Sequence, residues 1–255
     1  MKVTVVGCSG SYAGPDSSAS CYLVEADDPD DPGRTWRLLL DLGSGALGAL
    51  HRYADPLTID GLVISHLHAD HFFDISGYYV MRKYHPTGAQ PRIPVWGPKG
   101  TERRVAKAYG LPVVPGMSEE FDFHRYGRTP VTVGPFTVTT KRMNHPVEAH
   151  GLRVEADGRS VVYSGDTAAC DNLVELATDA DLLLSEAAFR DGFDNPPDIH
   201  LTGSEAADTA KRARVGRLVL THIPPWHDRQ DALAEARGVF DGSIDLAAVG
   251  ATYQL

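Results

Sequence analysis

The chain has 255 residues, 42% of them hydrophobic and 23% charged, and a formal net charge of −10 at pH 7. That length buries a sizeable core, and its apolar runs are too short to cross a bilayer. The acidic balance argues against a long polyanion as principal partner, although a local basic patch can oppose the net sign.

The start of the chain, Met1-Lys2-Val3-Thr4-Val5-Val6-Gly7, reads as a strand rather than an export signal. Apolar runs predict further strands at 21–25, 36–41 and 62–65, with a polar Asp/Pro/Gly hairpin loop at 27–33. Helices are expected after Ser44 through Leu47, Leu50 and Tyr53, over 71–84, and over 101–109, where Gly110 and Pro112 stop the last. The second half predicts strands at 136–141, 152–155 and 161–164, the latter two joined at Asp157-Gly158. Runs at 181–184 and 218–221 suit buried strands. Helices follow at 202–214, where Thr202 and Glu205 have capping-box spacing, and at 228–240, stopped by Gly242. There is no repeat and no linker. The expectation is one α/β domain over residues 1–255, with two sheets stacked inside helices. Cys8, Cys21 and Cys170 show no disulfide or CxxC spacing and read as reduced packing residues of a cytoplasmic protein.

The densest chemistry is His66-Leu67-His68-Ala69-Asp70-His71, directly after the apolar run Leu62-Val63-Ile64. Three imidazoles and a carboxylate within six residues suit a borderline divalent metal such as zinc. Three later candidates also stand where strands end: His145 in Asn144-His145-Pro146, Asp166 in Gly165-Asp166-Thr167, and His222 in Thr221-His222-Ile223. Strand ends are where open α/β sheets gather their chemistry. The set is five histidines and two aspartates, enough for two ions. His51, His85, His124, His150 and His227 lack such context and read as surface or structural residues. The basic clusters Arg103, Arg104, Lys107 and Lys211, Arg212, Arg214 read as solvated helix faces.

The order HxHxDH, a His, an Asp within GDT and a final His resembles the metallo-β-lactamase superfamily, over essentially the whole chain. The resemblance implies a four-layer αββα sandwich, two mixed sheets packed face to face with helices outside. It implies a first metal held by His66, His68 and His145, a second by Asp70, His71 and His222, and Asp166 bridging both. β-Lactamases of the dinuclear zinc class carry Cys where this chain has Asp166, so the carboxylate resembles the phosphodiesterase and thiolesterase branches. Ser185-Glu186-Ala187-Ala188-Phe189 and His200-Leu201-Thr202 resemble the paired signatures of the ribonuclease Z branch, although Ser185 and Ala188 depart from its usual His-Glu-Ala-Thr. This implies catalytic roles for Glu186 and His200, with His200 as general acid. Gly7-Cys8-Ser9-Gly10-Ser11 and the serines that follow resemble the branch's glycine-rich turn, making Ser9, Gly10, Ser11 and Ser20 candidate phosphate donors.

Bacterial ribonuclease Z enzymes usually carry a long tRNA-clamping arm between the third His and the bridging Asp. Here one short hairpin joins His145 to Asp166. The N-terminal turn, the His66–His71 motif, Tyr163-Ser164-Gly165-Asp166-Thr167 and Leu220-Thr221-His222-Ile223-Pro224-Pro225-Trp226 are similar to the actinobacterial atypical cyclic-nucleotide phosphodiesterases. That resemblance implies hydrolysis of 3′,5′-cyclic AMP, with cyclic GMP a further candidate, to the 5′-monophosphate. It implies a hydroxide activated by two divalent metals and oriented by Asp70. Zinc is the first expectation, with manganese or iron as alternatives. The expected enzyme is a homodimer acting on a small phosphodiester, with no large nucleic acid and no membrane as partner. The alternative is a ribonuclease Z-type tRNA 3′-processing endoribonuclease. A lactonase or thiolesterase and a non-catalytic metal-binding scaffold stand further off. Tyr163, Phe189, Phe193 and Trp226 are candidate base-stacking residues; of these Tyr163 reads as core, and Trp226 is the foremost candidate as base platform or subunit contact.

Overall fold

The computed structural model describes all 255 residues, 1–255. The first sheet contains β1 (Lys2–Ser9), β2 (Ser18–Ala19), β3 (Cys21–Asp27), β4 (Thr35–Leu40), β5 (Gly61–Val63), β6 (Ile93–Gly97), β7 (Phe121–Arg125) and, from the far end of the chain, β15 (Thr252–Gln254). Its order is β15-β1-β3-β4-β5-β6-β7, with β2 paired to β1. The second contains β8 (Val131–Val133), β9 (Phe136–Arg142), β10 (His150–Ala156), β11 (Arg159–Tyr163), β12 (Leu182–Glu186), β13 (Arg217–Thr221) and β14 (Ser243–Leu246). Its order is β14-β13-β12-β11-β10-β9-β8. Helices α1 (Ala46–Leu50), α2 (Ala69–Phe72), α3 (Ile75–Tyr84) and α4 (Thr101–Tyr109) belong to the first half, and α5 (Asp171–Ala177), α6 (Gly203–Ala213) and α7 (Arg229–Arg237) to the second.

Strand periodicity builds the four layers. Successive side chains of a strand point to opposite faces. Val3, Val5, Tyr22, Val24, Leu38 and Leu40 therefore enter a core between the sheets, where they meet Leu152, Val154, Val161, Tyr163, Leu182 and Leu184. The residues between them face outward. Val6, Leu23, Leu39 and Leu62 pack with Phe72, Ile75 and Tyr78 of α2 and α3. Val162, Leu183, Leu218 and Leu220 pack with Leu173 of α5, Ala206 and Ala210 of α6, and Ala232 of α7. A run such as Leu38-Leu39-Leu40 is apolar throughout because both faces of its strand are covered.

Both sheets are antiparallel at one side and parallel at the other: β4-β5-β6-β7 and β11-β12-β13-β14 run parallel. Parallel pairing puts the ends of neighbouring strands at one edge of a sheet. Asp41 follows β4 and the histidine-rich segment follows β5, while Asp166 follows β11, Glu186 ends β12 and His222 follows β13. The two edges are tied to one another where His150 N–H donates to Ser65 O at 3.0 Å. The capping box at the start of α6 is present: Thr202 Oγ1 accepts from Glu205 N–H, and Glu205 Oε2 accepts from Thr202 N–H.

Several predicted boundaries move. The helix expected over 71–84 is two, because the chain turns between α2 and α3; Asp74 there accepts from Leu47 N–H at 2.9 Å, tying the break to α1. The helix expected over 228–240 ends at Arg237, where the Gly238 N–H caps the last carbonyls. Strands β2, β6, β7, β8, β14 and β15 and helix α5 were not predicted.

Candidate metal centre

Five histidines and two aspartates converge where the strand ends of the two sheets meet. They fall into two principal groups, His66, His68, His145 with Asp166, and Asp70, His71 with His222. A third grouping links Asp166 and His222 to His200. All seven sequence-predicted metal residues are thus brought together. Their contacts run atom to atom. His145 Nε2 lies 3.2 Å from His68 Nδ1. His71 Nε2 lies 3.2 Å from His222 Nε2, and His222 Nε2 lies 3.1 Å from Asp70 Oδ2. Asp166 reaches both groups: Oδ1 is 3.2 Å from His71 Nε2 and 3.5 Å from His222 Nε2, and Oδ2 is 3.5 Å from His66 Nε2.

These separations fit donors that share a cation. With metal–nitrogen bonds of about 2.0–2.1 Å, the edge of a tetrahedral site is about 3.3–3.4 Å. His66 Nε2 and Asp166 Oδ1 are buried without a hydrogen-bond partner, which is costly for a polar atom unless an ion satisfies it. Burial disfavours charge on Asp166, yet the imidazoles of His222, His71 and His66 hold its carboxyl well below the usual carboxylate range.

Neighbouring groups aim the rings. His145 Nδ1 donates to Ile199 O at 2.9 Å, turning Nε2 toward His68. His71 Nδ1 donates to Asp41 Oδ2 at 2.7 Å, turning Nε2 into the cluster. Asp41 is fully buried and also accepts from Ser65 N–H (2.7 Å), Ser65 Oγ (2.7 Å) and Tyr163 OH (2.9 Å). Tyr163, expected as core, is buried and also supplies this hydroxyl. Asp41 sits at φ +60° and His222 at φ +54°, left-handed conformations that non-glycine residues adopt at a cost of about 1–3 kcal/mol. Sequence reading missed Asp41 and Ser65. An acid placed just past the apolar run Leu38-Leu39-Leu40 was the available signal.

Asp41→Asn is expected to weaken metal binding about tenfold to a hundredfold, as loss of an orienting carboxylate does. Four donors converge on the two oxygens, and an amide offers one acceptor and two further donors. Chelator competition measures the change; unchanged affinity would show that Asp41 does not orient His71.

His200 stands beside the cluster, its ring centroid 5.6 Å from those of His145 and His222. Its Nδ1 donates to Glu186 Oε1 at 2.9 Å. Glu186 is fully buried and accepts from three main-chain N–H groups as well: Thr167 at 2.7 Å on Oε1, and Ala188 and Leu201, each at 3.3 Å, on Oε2. Burial works against a charged His200, but Glu186 outweighs it and pushes the imidazole up to about 9.

The glycine-rich turn lies against His222. Gly10 is required there because a Cβ would stand 2.1 Å from His222 O. Gly10 N–H donates to Ile223 O at 3.2 Å, and the Ser9 hydroxyl donates to Tyr12 O at 2.7 Å. Ser20 is fully buried. Ser11 is the exposed member of the four, and its N–H points at His222 Nε2 from 3.5 Å.

Known proteins resemble this chain over most of its length. A family model described as "Beta-lactamase superfamily domain" matches residues 36–223. The Mycobacterium leprae protein ML1173 is 44% identical over 260 residues, covering 100% of this chain and 89% of that protein. Bacillus subtilis YhfI, named "Probable metallo-hydrolase YhfI", is 30% identical over 256 residues and all of both chains. Its crystal structure superposes with a TM-score of 0.86 over 99% of each chain, at 28% identity. Human short-form tRNase Z (23% identity, 100% and 99% covered) and unliganded yeast PDE1 (14%, 100% and 99%) each give a TM-score of 0.76, a likeness of fold alone.

Proposed function

Since the chain belongs to the β-lactamase superfamily and is a metallo-hydrolase of it, we propose that it is a dinuclear metal-dependent phosphodiesterase that opens 3′,5′-cyclic nucleotides to 5′-monophosphates. The observation that carries this reading is His200. It is an imidazole held on a buried carboxylate, beside two groups of metal-type donors. A sugar alkoxide is a poor leaving group and needs a proton as it departs, whereas a thiolate does not. The pair therefore favours a phosphodiester over a thiolester.

In this reading His66, His68 and His145 would hold one divalent cation, Asp70, His71 and His222 would hold the other, and Asp166 would offer an oxygen to each. The chemistry such a pair supplies when bound is Lewis-acid activation of water and neutralisation of phosphoryl charge. Zinc fits the donor set, as do manganese and iron. Asp70 orients the attacking water in line with the 3′ oxygen. His200 Nε2 donates a proton to that oxygen while Glu186 holds Nδ1, fixing tautomer and orientation. Ser11, the exposed member of the glycine-rich turn, is the candidate phosphate donor of the four.

A small substrate is favoured over tRNA. Between His145 and Asp166 the chain spends its residues on the β10–β11 hairpin. In the second basic cluster Arg212 pairs with Asp171 at 2.5 Å and Arg214 with Asp179 at 2.7 Å, so part of its charge is answered on this chain's own surface. No helix is long and apolar enough to cross a membrane. The reading takes the enzyme to be a cytoplasmic homodimer; its three cysteines are free.

The deciding measurement assays metal-quantified protein in parallel on 3′,5′-cyclic AMP, cyclic GMP, a pre-tRNA and a panel of lactones and thiolesters. Turnover of cyclic nucleotides above the rest supports the reading. Pre-tRNA cleavage with steep salt dependence would replace it with the nuclease.

A further inference from the structure

Two exposed aromatic rings meet on the loops that flank His222. Tyr12 and Trp226 lie with ring centroids 5.4 Å apart, inclined by 35°, and are 47% and 60% exposed. Large aromatic side chains left in water at a rigid position are a usual mark of recognition, because they offer contact area with little conformational entropy to lose. Both rings here stand on rigid supports that also carry the site. Trp226 is four residues past His222, beyond Pro224-Pro225, and the His227 N–H closes the turn on Pro224 O at 3.0 Å. Tyr12 follows Ser11, whose N–H points at His222 Nε2, and its own carbonyl is held by the Ser9 hydroxyl at 2.7 Å. The two loops are laced together by Gly10 N–H to Ile223 O at 3.2 Å and His222 N–H to Cys8 O at 3.1 Å. The pair is thus fixed on the two loops that flank His222, a metal-type residue.

We propose that Tyr12 and Trp226 form a two-ring platform on which the nucleobase of the substrate stacks while its phosphodiester reaches the centre. The inference rests on the proposed reading of the site. Every base has a π-face, so the platform selects nucleotides over other phosphodiesters without ranking one purine against another. The sequence puts Trp226 foremost among four candidate stacking residues, with Tyr163, Phe189 and Phe193; Tyr12 joins it only in the fold.

The test is binding of 5′-AMP and of ribose 5-phosphate to metal-loaded protein by calorimetry, which needs no turnover. The unsubstituted protein should prefer 5′-AMP by about tenfold or more, and Trp226→Ala and Tyr12→Ala should each remove most of that preference. Trp226→Phe and Tyr12→Phe should restore it, since the π-face returns. On cyclic AMP the alanine variants should raise KM about tenfold, with a much smaller change in kcat. Equal affinity of the unsubstituted protein for the two phosphates would overturn the platform, even if cyclic nucleotides are hydrolysed. An intact preference in Trp226→Ala, together with a smaller particle in size-exclusion chromatography, would overturn it in favour of a subunit contact. A retained base preference without cyclic-nucleotide turnover would sustain the platform and reject the proposed reaction.

Discussion

Asp166→Asn is expected to yield a folded protein that holds at most one metal ion per chain and has lost at least about a thousandfold in kcat/KM, some 4 kcal/mol of transition-state stabilisation. Asp166 directs one oxygen at each donor group, Oδ1 toward His71 and His222 and Oδ2 toward His66. Asparagine keeps the shape but replaces one anionic oxygen with an NH2 whose hydrogens face imidazole lone pairs. The negative charge available to two dications falls from two carboxylates to one. Elemental analysis reads the loss of metal, and chelator-stripped unsubstituted protein supplies the comparison for stability. At neutral pH apo Asp166→Asn should melt below the stripped unsubstituted protein, because it loses the attraction between the Asp166 carboxylate and the imidazoles of His222, His71 and His66. Two ions per chain with full turnover in Asp166→Asn would remove Asp166 from the centre.

Much of the architecture was legible because both faces of the central strands are covered. Continuous apolar runs at Leu38-Leu39-Leu40 and Leu182-Leu183-Leu184 mark doubly buried strands, and these are the strands whose ends carry the chemistry. The strands that escaped prediction are short or lie toward the margins of the sheets. β6 contains Pro94, β7 alternates Phe with polar residues, and β14 and β15 are the terminal members of their sheets. Their pairing depends on neighbours supplied from elsewhere in the chain, a dependence that β propensity does not contain.

The site divides in the same way. A metal-type donor announces itself by residue type and spacing, so His66, His68, Asp70 and His71 could be read from six residues. A residue that aims a donor cannot be found so locally. Asp41 meets His71 because β4 lies parallel to β5, and it meets Tyr163 because the second sheet stacks on the first. The same holds for Gly10. A glycine-rich turn suggested main-chain groups open to a phosphate, whereas in the fold Gly10 lets the first loop pass against the His222 carbonyl and uses its N–H to tie the two loops together. Exposure of the turn is left to Ser11, next to the aromatic pair.

The second large effect belongs to the Glu186–His200 pair. His200→Ala is expected to lower kcat on a cyclic nucleotide by about a hundredfold to ten-thousandfold while leaving metal content intact, the ordinary worth of a positioned general acid. His200 reaches the cluster through ring contacts of 5.6 Å and has its hydrogen bond to Glu186, so its removal leaves the two principal donor groups complete. Glu186→Gln separates the acid from its tuning. The amide still fills the buried pocket, but it no longer stabilises the charged imidazole. A general acid works only while protonated, so the rate falls as pH rises through its pKa. With Glu186 in place the imidazole is pushed up to about 9, and bound cations nearby draw it down from there. The alkaline limb should therefore lie at or below about 9 in the unsubstituted enzyme and move to lower pH in Glu186→Gln. Loss of activity at neutral pH should be partly recovered by assaying that variant in mild acid. A substrate with a good leaving group, such as a nitrophenyl phosphodiester, needs little protonation and should lose far less in either variant. An alkaline limb that stays in place, or equal losses on both leaving groups, would leave His200 no part in the proton transfer.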